Sequence, residues 1–363
     1  MTGILRLDRS HNKEMLEILR RSPVEAGGLT LCFDRQPDMF AMAELAYAPA
    51  VWTGVFENGT LMGYGLVGYH DAYVNGAIQK VMHLTDCYFR PECRGRGYLS
   101  TALPRFFDHG GASLGYSVVM RGNRAPETIL GKKYAAATSG LRSRFFGEIT
   151  AKSLLLHSRR HSRPHLPVRR ARMEDIDEIV DLLRAEHMPR LFGLATSADQ
   201  FAARVKRPGL SITDYFVAER AGRLAGVCAA WDTCAFKQDR VLRYGFWLKL
   251  LRPLSHVPEW LGRSPALPAP GEPFREVFLT DWAVRDRSAE VMHALIRQIE
   301  CEYRPNYHAL VFGSCSHDPI LEAARGYPVS GLAFQVALLD LGGGWLNDGA
   351  VDTRLPFVDL ALL

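Results

Sequence analysis

Two glycines flank one arginine in Gly95-Arg96-Gly97, between a strand-forming run, Leu84 to Phe89, and a segment able to start a helix, Tyr98 to Leu103. A turn of this kind binds anions. Glycine lets the backbone approach a ligand closely, and the first amides of a helix lack intrahelical partners and lie at the positive end of its dipole. Phosphate groups suit that arrangement. Asp86 lies in the middle of the incoming strand, where a carboxylate drawn partly out of water can act as a base. Taken alone, an RGRG turn is a bland basic loop about as often as a phosphate site. Other phosphate motifs fit worse. The pattern G-x-x-x-x-G-K-[ST] is absent, and G-x-G-x-x-G fails because Ser100 stands where its third glycine belongs.

From Leu84 to Asn123 the chain resembles the Gcn5-related N-acetyltransferase (GNAT) superfamily, whose motif A, R/Q-x-x-G-x-G/A, cradles the pyrophosphate of acetyl-coenzyme A. Arg94 and Gly97 match, and Leu99 departs from the last position. Tyr116 to Arg121 is expected as the next strand and runs into Asn123, similar to the Asn that opens the helix after strand five in that family. The resemblance implies acetyl-CoA as co-substrate, held by Cys87, Phe89, Arg94, Gly95, Arg96, Gly97, Tyr98, Leu99, Ser100 and Asn123. It implies an N-acetyltransferase that moves an acetyl group to a primary amine. Asp86 is the implied base, with Glu57, Asp71 and Glu148 as substitutes. Tyr134, about one helical turn past the family's usual tyrosine, is the implied acid for the leaving thiolate. Both residues also have plain structural readings: Asp281 repeats Asp86 in the second half of the chain, and Tyr134 fits an ordinary half-buried aromatic. Pro104 is expected to kink or end the helix after the loop.

The elements that must position these residues occur twice. His11 to Arg21 has the apolar spacing of a short amphipathic helix, and Pro37 to Leu45 looks helical. Val51 to Glu57 and Leu61 to Tyr69 flank Asn58-Gly59, a strong hairpin signal. Lys80 to Arg90 is the next strand, and Phe145 to Leu156 closes the first half. A basic, proline-containing stretch follows. Its histidines, His157, His161 and His165, recur every fourth residue, but Pro164 breaks the helix a metal site would need. Then the order begins again: Val168 to Arg172, a helix from Ile176 to Leu183, a hairpin around Ala221-Gly222, and Leu279-Thr280-Asp281 repeating Leu84-Thr85-Asp86. A repeat of about 150 residues signals duplicated domains.

The expected fold class is therefore α+β: two tandem GNAT folds, each a mixed, mostly antiparallel sheet flanked by helices. The expected domains are 1–156 and 168–343, with a linker at 157–167 and a tail at 344–363. No glycine stands between Asp281 and Ser288, so acetyl-CoA is assigned to the first half and the second half is expected to line the acceptor pocket. An insertion, Phe236 to Phe274, contains FWLKLLRPL, either an amphipathic helix over the cleft between the halves or a surface excursion.

Composition bounds the alternatives. With 47% hydrophobic and 23% charged residues, 363 residues suffice for two ordinary globular domains. No apolar run is long enough for a membrane helix and no signal-peptide core opens the chain, so a cytoplasmic address is expected. Seven cysteines with no C-x-x-C pair read as free thiols. A net charge of +5 suits an anionic co-substrate but is too scattered for nucleic acid. The expected partners are acetyl-CoA and a small-molecule or peptide amine, with no nucleic acid and no membrane; a homodimer is compatible with these. Three rival readings stay open: an aminoacyl-tRNA-dependent ligase of the Fem type, a non-catalytic acyl-CoA-binding regulator, and a structural module.

Overall fold

A computed structural model describes residues 2–26, 28–93, 95–106, 111–131, 142–156, 166–256, 260 and 264–363. Arg94, Tyr134 and the three linker histidines lie outside the described residues. The first half runs β1 (Thr2–Arg6), α1 (Asn12–Arg20), β2 (Val24–Ala26), β3 (Leu29–Asp34), α2 (Ala41–Ala46), β4 (Ala50–Glu57), β5 (Thr60–Val74), β6 (Ala77–Phe89), α3 (Tyr98–Phe106), β7 (Leu114–Met120), α4 (Arg124–Gly131) and β8 (Arg142–Leu155). The second continues with β9 (Val168–Arg170), α5 (Ile176–His187), β10 (Gly193–Leu194), α6 (Ala198–Arg204), β11 (Tyr215–Arg220), β12 (Arg223–Trp231), β13 (Gln238–Tyr244), α7 (Phe246–Leu251), β14 (Pro273–Phe274), β15 (Glu276–Val284), α8 (Ala289–Tyr303), β16 (Ala309–Cys315) and β17 (Val329–Asp340).

Local signals explain most of these elements. Asn58 and Gly59 take φ of 50° and 79°, the left-handed pair that a two-residue turn needs to match the twist of its strands. α1 buries Met15, Leu16, Ile18 and Leu19 on one face. α2 begins at Ala41, later than expected, because Asp38 and Asn12 side chains hold the backbone amides of Phe40 and Met39 in the loop before it. α3 runs through Pro104 to Phe106, the last residue described before 111.

Both halves share one 13-stranded sheet, in the order β1-β4-β5-β6-β7-β17-β8-β16-β15-β12-β11-β9, with β10 paired to β5. Read from either end, the order is the same set of equivalent strands. At the centre the halves exchange their last strands: β17 of the second half pairs with β7 of the first, and β8 of the first pairs with β16 of the second. β8 and β17 also pair with each other from Arg142 to Leu154. Along β17, Ala337 and Leu339 join the apolar cluster under α3 and α4, while Val336 and Leu338 join a cluster on the opposite face with Leu114, Tyr116 and Ile149. The first half's core is thus completed by the second half's strand.

A smaller sheet, β14-β13-β3-β2, ties the halves together again. Here the insertion differs from one expectation. FWLKLL is helical, but Phe246, Trp247 and Leu250 face solvent, and it is β13 that crosses to the first half, with Gln238 opposite Asp34 and Tyr244 opposite Leu29. Among the described residues no helix is long and apolar enough to cross a membrane.

Strand exchange predicts a fragment result. Residues 1–156 expressed alone lose the β17 contacts, including Leu338 and Leu339, each of which stabilises by roughly 1.5–3 kcal/mol when buried. That fragment should be insoluble, and co-expression with 166–363 should yield a complex that stays together on gel filtration. A soluble, cooperatively melting 1–156 would contradict the pairing.

Candidate functional site

The site is organised by a bulge. Tyr64 pairs with Tyr88 and Leu66 with Thr85, so Asp86 and Cys87 together oppose Gly65. Asp86 has φ of 47°. The extra residue bends β6 away from its parallel neighbour β7, and their ladder ends at Leu84 opposite Ser117. Beyond it every residue from Thr85 to Arg90 is partly exposed, as expected for a strand that borders an opening. Cys87 and Phe89 face the α3 side, and burial pushes the Cys87 thiol up to about 12, so it stays a neutral thiol at ordinary pH. Tyr88 packs on the opposite side, with α1.

Beyond the strand, Gly95 and Gly97 take φ of 79° and 76°, with open space where a side chain would start. It is the left-handed backbone that calls for glycine there. The Gly97 carbonyl accepts the Thr101 N–H at 3.1 Å, which leaves the amides of Tyr98, Leu99 and Ser100 as first-turn donors of α3. Leu99 and Tyr98 lean on the apolar cluster under the helix, so the bulk of Leu99 is directed to the core. Arg96 ion-pairs with Glu57 at 3.8 Å on the surface. Asn123 is exposed at the start of α4, where its carbonyl accepts the Glu127 N–H at 3.2 Å.

The second half repeats this frame and fills it. Asp281 and Trp282 oppose Cys228 in an equivalent bulge, with Asp281 at φ 45°. The turn Arg285–Arg287 is left-handed at Asp286 and Arg287 although neither is glycine, and Ser288 caps α8 with its own side chain. Arg190, 1% exposed, stacks on Trp282 at 4.9 Å and donates to Glu186 and Asp318. Arg287 reaches the same Asp318 oxygen at 2.7 Å, and Ser314 on β16 donates to it at 2.6 Å. An ion network therefore spans turn, β15 and β16 in the second half.

The two aspartates differ in the same way. Asp281 is fully engaged, by Arg204 at 2.7 Å and by the Tyr215 hydroxyl at 2.6 Å. Asp86 has a buried Oδ2 without a hydrogen-bond partner. Burial raises the Asp86 pKa, while the charges of Arg35 and Lys237 pull it down. Of the three substitute carboxylates, Asp71 is exposed, and Glu57 and Glu148 are held by Arg96 and Arg121.

Several buried charged residues, among them Arg35 and Lys237 whose charges bear on Asp86, were not singled out by the sequence alone. Arg35 is 2% exposed, and its Nη2 donates to the Leu363 main-chain oxygen at 3.3 Å. The buried Lys237 donates to the Leu360 carbonyl at 2.9 Å and to the main-chain oxygen of Leu363, the last residue of the sequence, at 3.0 Å, above the Phe278 ring. Glu276 has its pKa raised by burial and by neighbouring Asp239. Nearby His83 is held neutral by burial, its Nδ1 2.6 Å from the Tyr47 hydroxyl. The available signal was charge inside strand patterns, Asp34-Arg35 and Lys237-Gln238-Asp239-Arg240. Among the described residues no group of three side chains is arranged to hold a metal ion.

Lys237 gives a pH prediction. Burial lowers its pKa from 10.5 to about 8, so between those values the unfolded chain holds more protons than the folded one, and stability rises with pH across that window. The contribution is roughly 3 kcal/mol over the full window. Denaturant titrations at pH 8 to 10.5 should show this rise in the wild type and a flatter profile in Lys237→Met. Parallel profiles would mean that Lys237 keeps its ordinary pKa.

No protein-family model matches the sequence, and no curated protein matches it. Solved structures do. The glucosamine N-acetyltransferase region of a fungal multi-domain GH3 β-N-acetylglucosaminidase aligns with TM-score 0.60 and 9% identity over 93% of this chain and 38% of that one. N-myristoyltransferase of Saccharomyces cerevisiae, solved with myristoyl-CoA, aligns with TM-score 0.52 and 11% identity over 92% and 78%. A GCN5-related N-acetyltransferase of Anabaena variabilis aligns with TM-score 0.49 and 9% identity over 93% and 72%. At such identities the likeness is one of fold. With its bulged strand, its parted parallel neighbours and its glycine turn into a helix, this chain has the fold of the Gcn5-related N-acetyltransferases.

Proposed function

We propose that the chain is an acyl-CoA-dependent N-acyltransferase, with acetyl-CoA as the first donor to test and only the first half binding it. One observation carries this reading: of two equivalent aspartates, Asp281 is locked by Arg204 and Tyr215, whereas Asp86 keeps an unpartnered oxygen on the strand that leads toward the glycine turn. The amides of Tyr98, Leu99 and Ser100, with Gly95 and Gly97, serve the pyrophosphate, and Asn123 supports the same ligand from the start of α4. Asp86 takes a proton from the acceptor ammonium. The amine nitrogen then forms a bond to the thioester carbonyl carbon, the carbon–sulfur bond breaks, and the leaving thiolate takes up a proton, for which Tyr134 is the proposed donor. An amine and an acyl-CoA give an amide and free coenzyme A.

The test is calorimetric titration of the full chain with acetyl-CoA, followed by thiol release with a panel of amines. Octanoyl- and myristoyl-CoA in parallel read the acyl length. Absence of binding to all three would sink the proposal. Binding without thiol release for any amine would leave a non-catalytic acyl-CoA-binding protein.

A further inference from the structure

Six of the eleven large apolar side chains exposed among the described residues fall within one stretch of the chain: Leu242, Phe246, Trp247, Leu250, Leu254 and Trp260. Trp247 is 73% and Trp260 86% exposed, although tryptophan is a residue that folding normally covers. The stretch is fastened from beneath. Leu248 packs on the cluster of Leu31, Val241, Tyr244 and Phe274, the Arg252 Nε donates to the Leu267 carbonyl at 3.3 Å, and the Ser255 hydroxyl accepts the Leu267 N–H at 2.9 Å. At about 100° per residue, Phe246 and Leu250 lie on the side of α7 opposite Leu248, with Trp247 flanking them on one side and Lys249 on the other. A 3-10 turn over Arg252–Ser255 carries Leu254 beyond the helix. The bare apolar face is thus presented by a segment that is anchored on its other side.

Charge decides what covers this face. No acidic residue occurs from Arg240 to Pro258, and Arg243, Lys249 and Arg252 are interleaved with the apolar groups. Glu25 is 3.3 Å from Arg243, but both side chains are largely exposed, and such a pair is too weak to cancel the field. A second copy of the chain would set these cations against their own kind across a two-fold interface. Single-stranded nucleic acid would use the cations and the aromatic rings, but Leu242, Leu250 and Leu254 would gain nothing from it. An anionic lipid surface uses all three groups: aliphatic side chains enter the acyl boundary, tryptophan rings lie at headgroup level, and lysine and arginine reach the phosphates. We propose that this segment holds the protein on an anionic membrane surface, with α7 lying in the plane of the interface. The expectation of no membrane partner rests on the length that a spanning helix needs, which does not bear on a segment lying flat. The attachment is independent of acyl transfer and needs no acyl-CoA.

The experiment sediments the full chain with extruded vesicles of phosphatidylcholine alone and of phosphatidylcholine mixed with phosphatidylglycerol. The anionic vesicles should bind at least about tenfold more tightly, and added salt should erode that preference. Trp247→Ser combined with Leu250→Ser should weaken binding to anionic vesicles by about 100-fold or more, and Arg243→Glu combined with Lys249→Glu should remove the preference for them. All four positions are exposed, so melting curves of both double variants should match the wild type. Should one of them fail to fold, the other decides. No binding to either vesicle, equal binding to both, or wild-type binding by the two double variants would overturn the proposal. A dimer in sedimentation velocity that Trp247→Ser with Leu250→Ser dissociates, in a chain that leaves vesicles unbound, would assign the face to a second copy instead. A single-stranded oligonucleotide held more tightly than anionic vesicles, and released by the same pair of substitutions, would likewise overturn it. Failure of acyl-CoA to bind changes none of these outcomes.

Discussion

Gly97→Glu should abolish acyl-CoA binding, lowering affinity more than about 100-fold while the melting temperature changes little. Two effects combine. At φ 76° any residue with a side chain sits in a left-handed conformation that costs roughly 1–2 kcal/mol. A carboxylate would also stand at the mouth of a helix N-terminus whose value to an anion is its positive potential. The space around Gly97 is open, so crowding is not the cause of any loss. Gly97→Ala separates the two effects, because it carries the strain without the charge and should cost about tenfold. Calorimetry on the three proteins checks this. Wild-type affinity in Gly97→Glu would move the pyrophosphate site elsewhere.

A second large effect is expected from substituting each aspartate in turn. Asp86→Asn preserves shape and removes basicity, so turnover should fall by roughly 100-fold or more at nearly constant acyl-CoA affinity. Its stability should hold or rise: burial lifts the folded pKa of Asp86, so the ionised form destabilises the fold as pH climbs above the unfolded value of 3.8. Asp281→Asn should do the reverse. It leaves Arg204 buried without its countercharge, which costs about 3–5 kcal/mol. Paired kinetics and melting curves distinguish the two positions. Loss of stability alone in both variants would make the aspartates structural equivalents, and the base would have to be sought among other groups facing the bulge.

What the sequence made legible was local. The Asn58-Gly59 hairpin, the α1 stripe and the repeated Leu-Thr-Asp each depend on neighbours within a few residues, and all appear in the fold. The difference between Asp86 and Asp281 was not legible, because it is made by Arg204 and Tyr215, 77 and 66 residues away from Asp281. Strand exchange was hidden for a related reason. Alternation in Phe145 to Leu156 reports that a strand has two faces, but it says nothing about which strand lies beside it. Arg35 and Lys237 were passed over because a charge at the end of a strand is usually solvated, and only the packing of both halves turns these two inward.

The central pairing of β17 with β7 and β8 also bears on how the protein is made. On the ribosome, at about 5–20 residues per second, β17 follows β7 by roughly 200 residues, so the first half waits about 10–40 s for the strand that completes its sheet. During that interval the nascent chain presents two unpaired strand edges, the kind of template that captures other chains. Chaperone engagement, or provisional pairing of β7 with β8, would have to cover them. The same interlock constrains descent: once the copies traded strands, neither could be deleted or separated without unravelling the other.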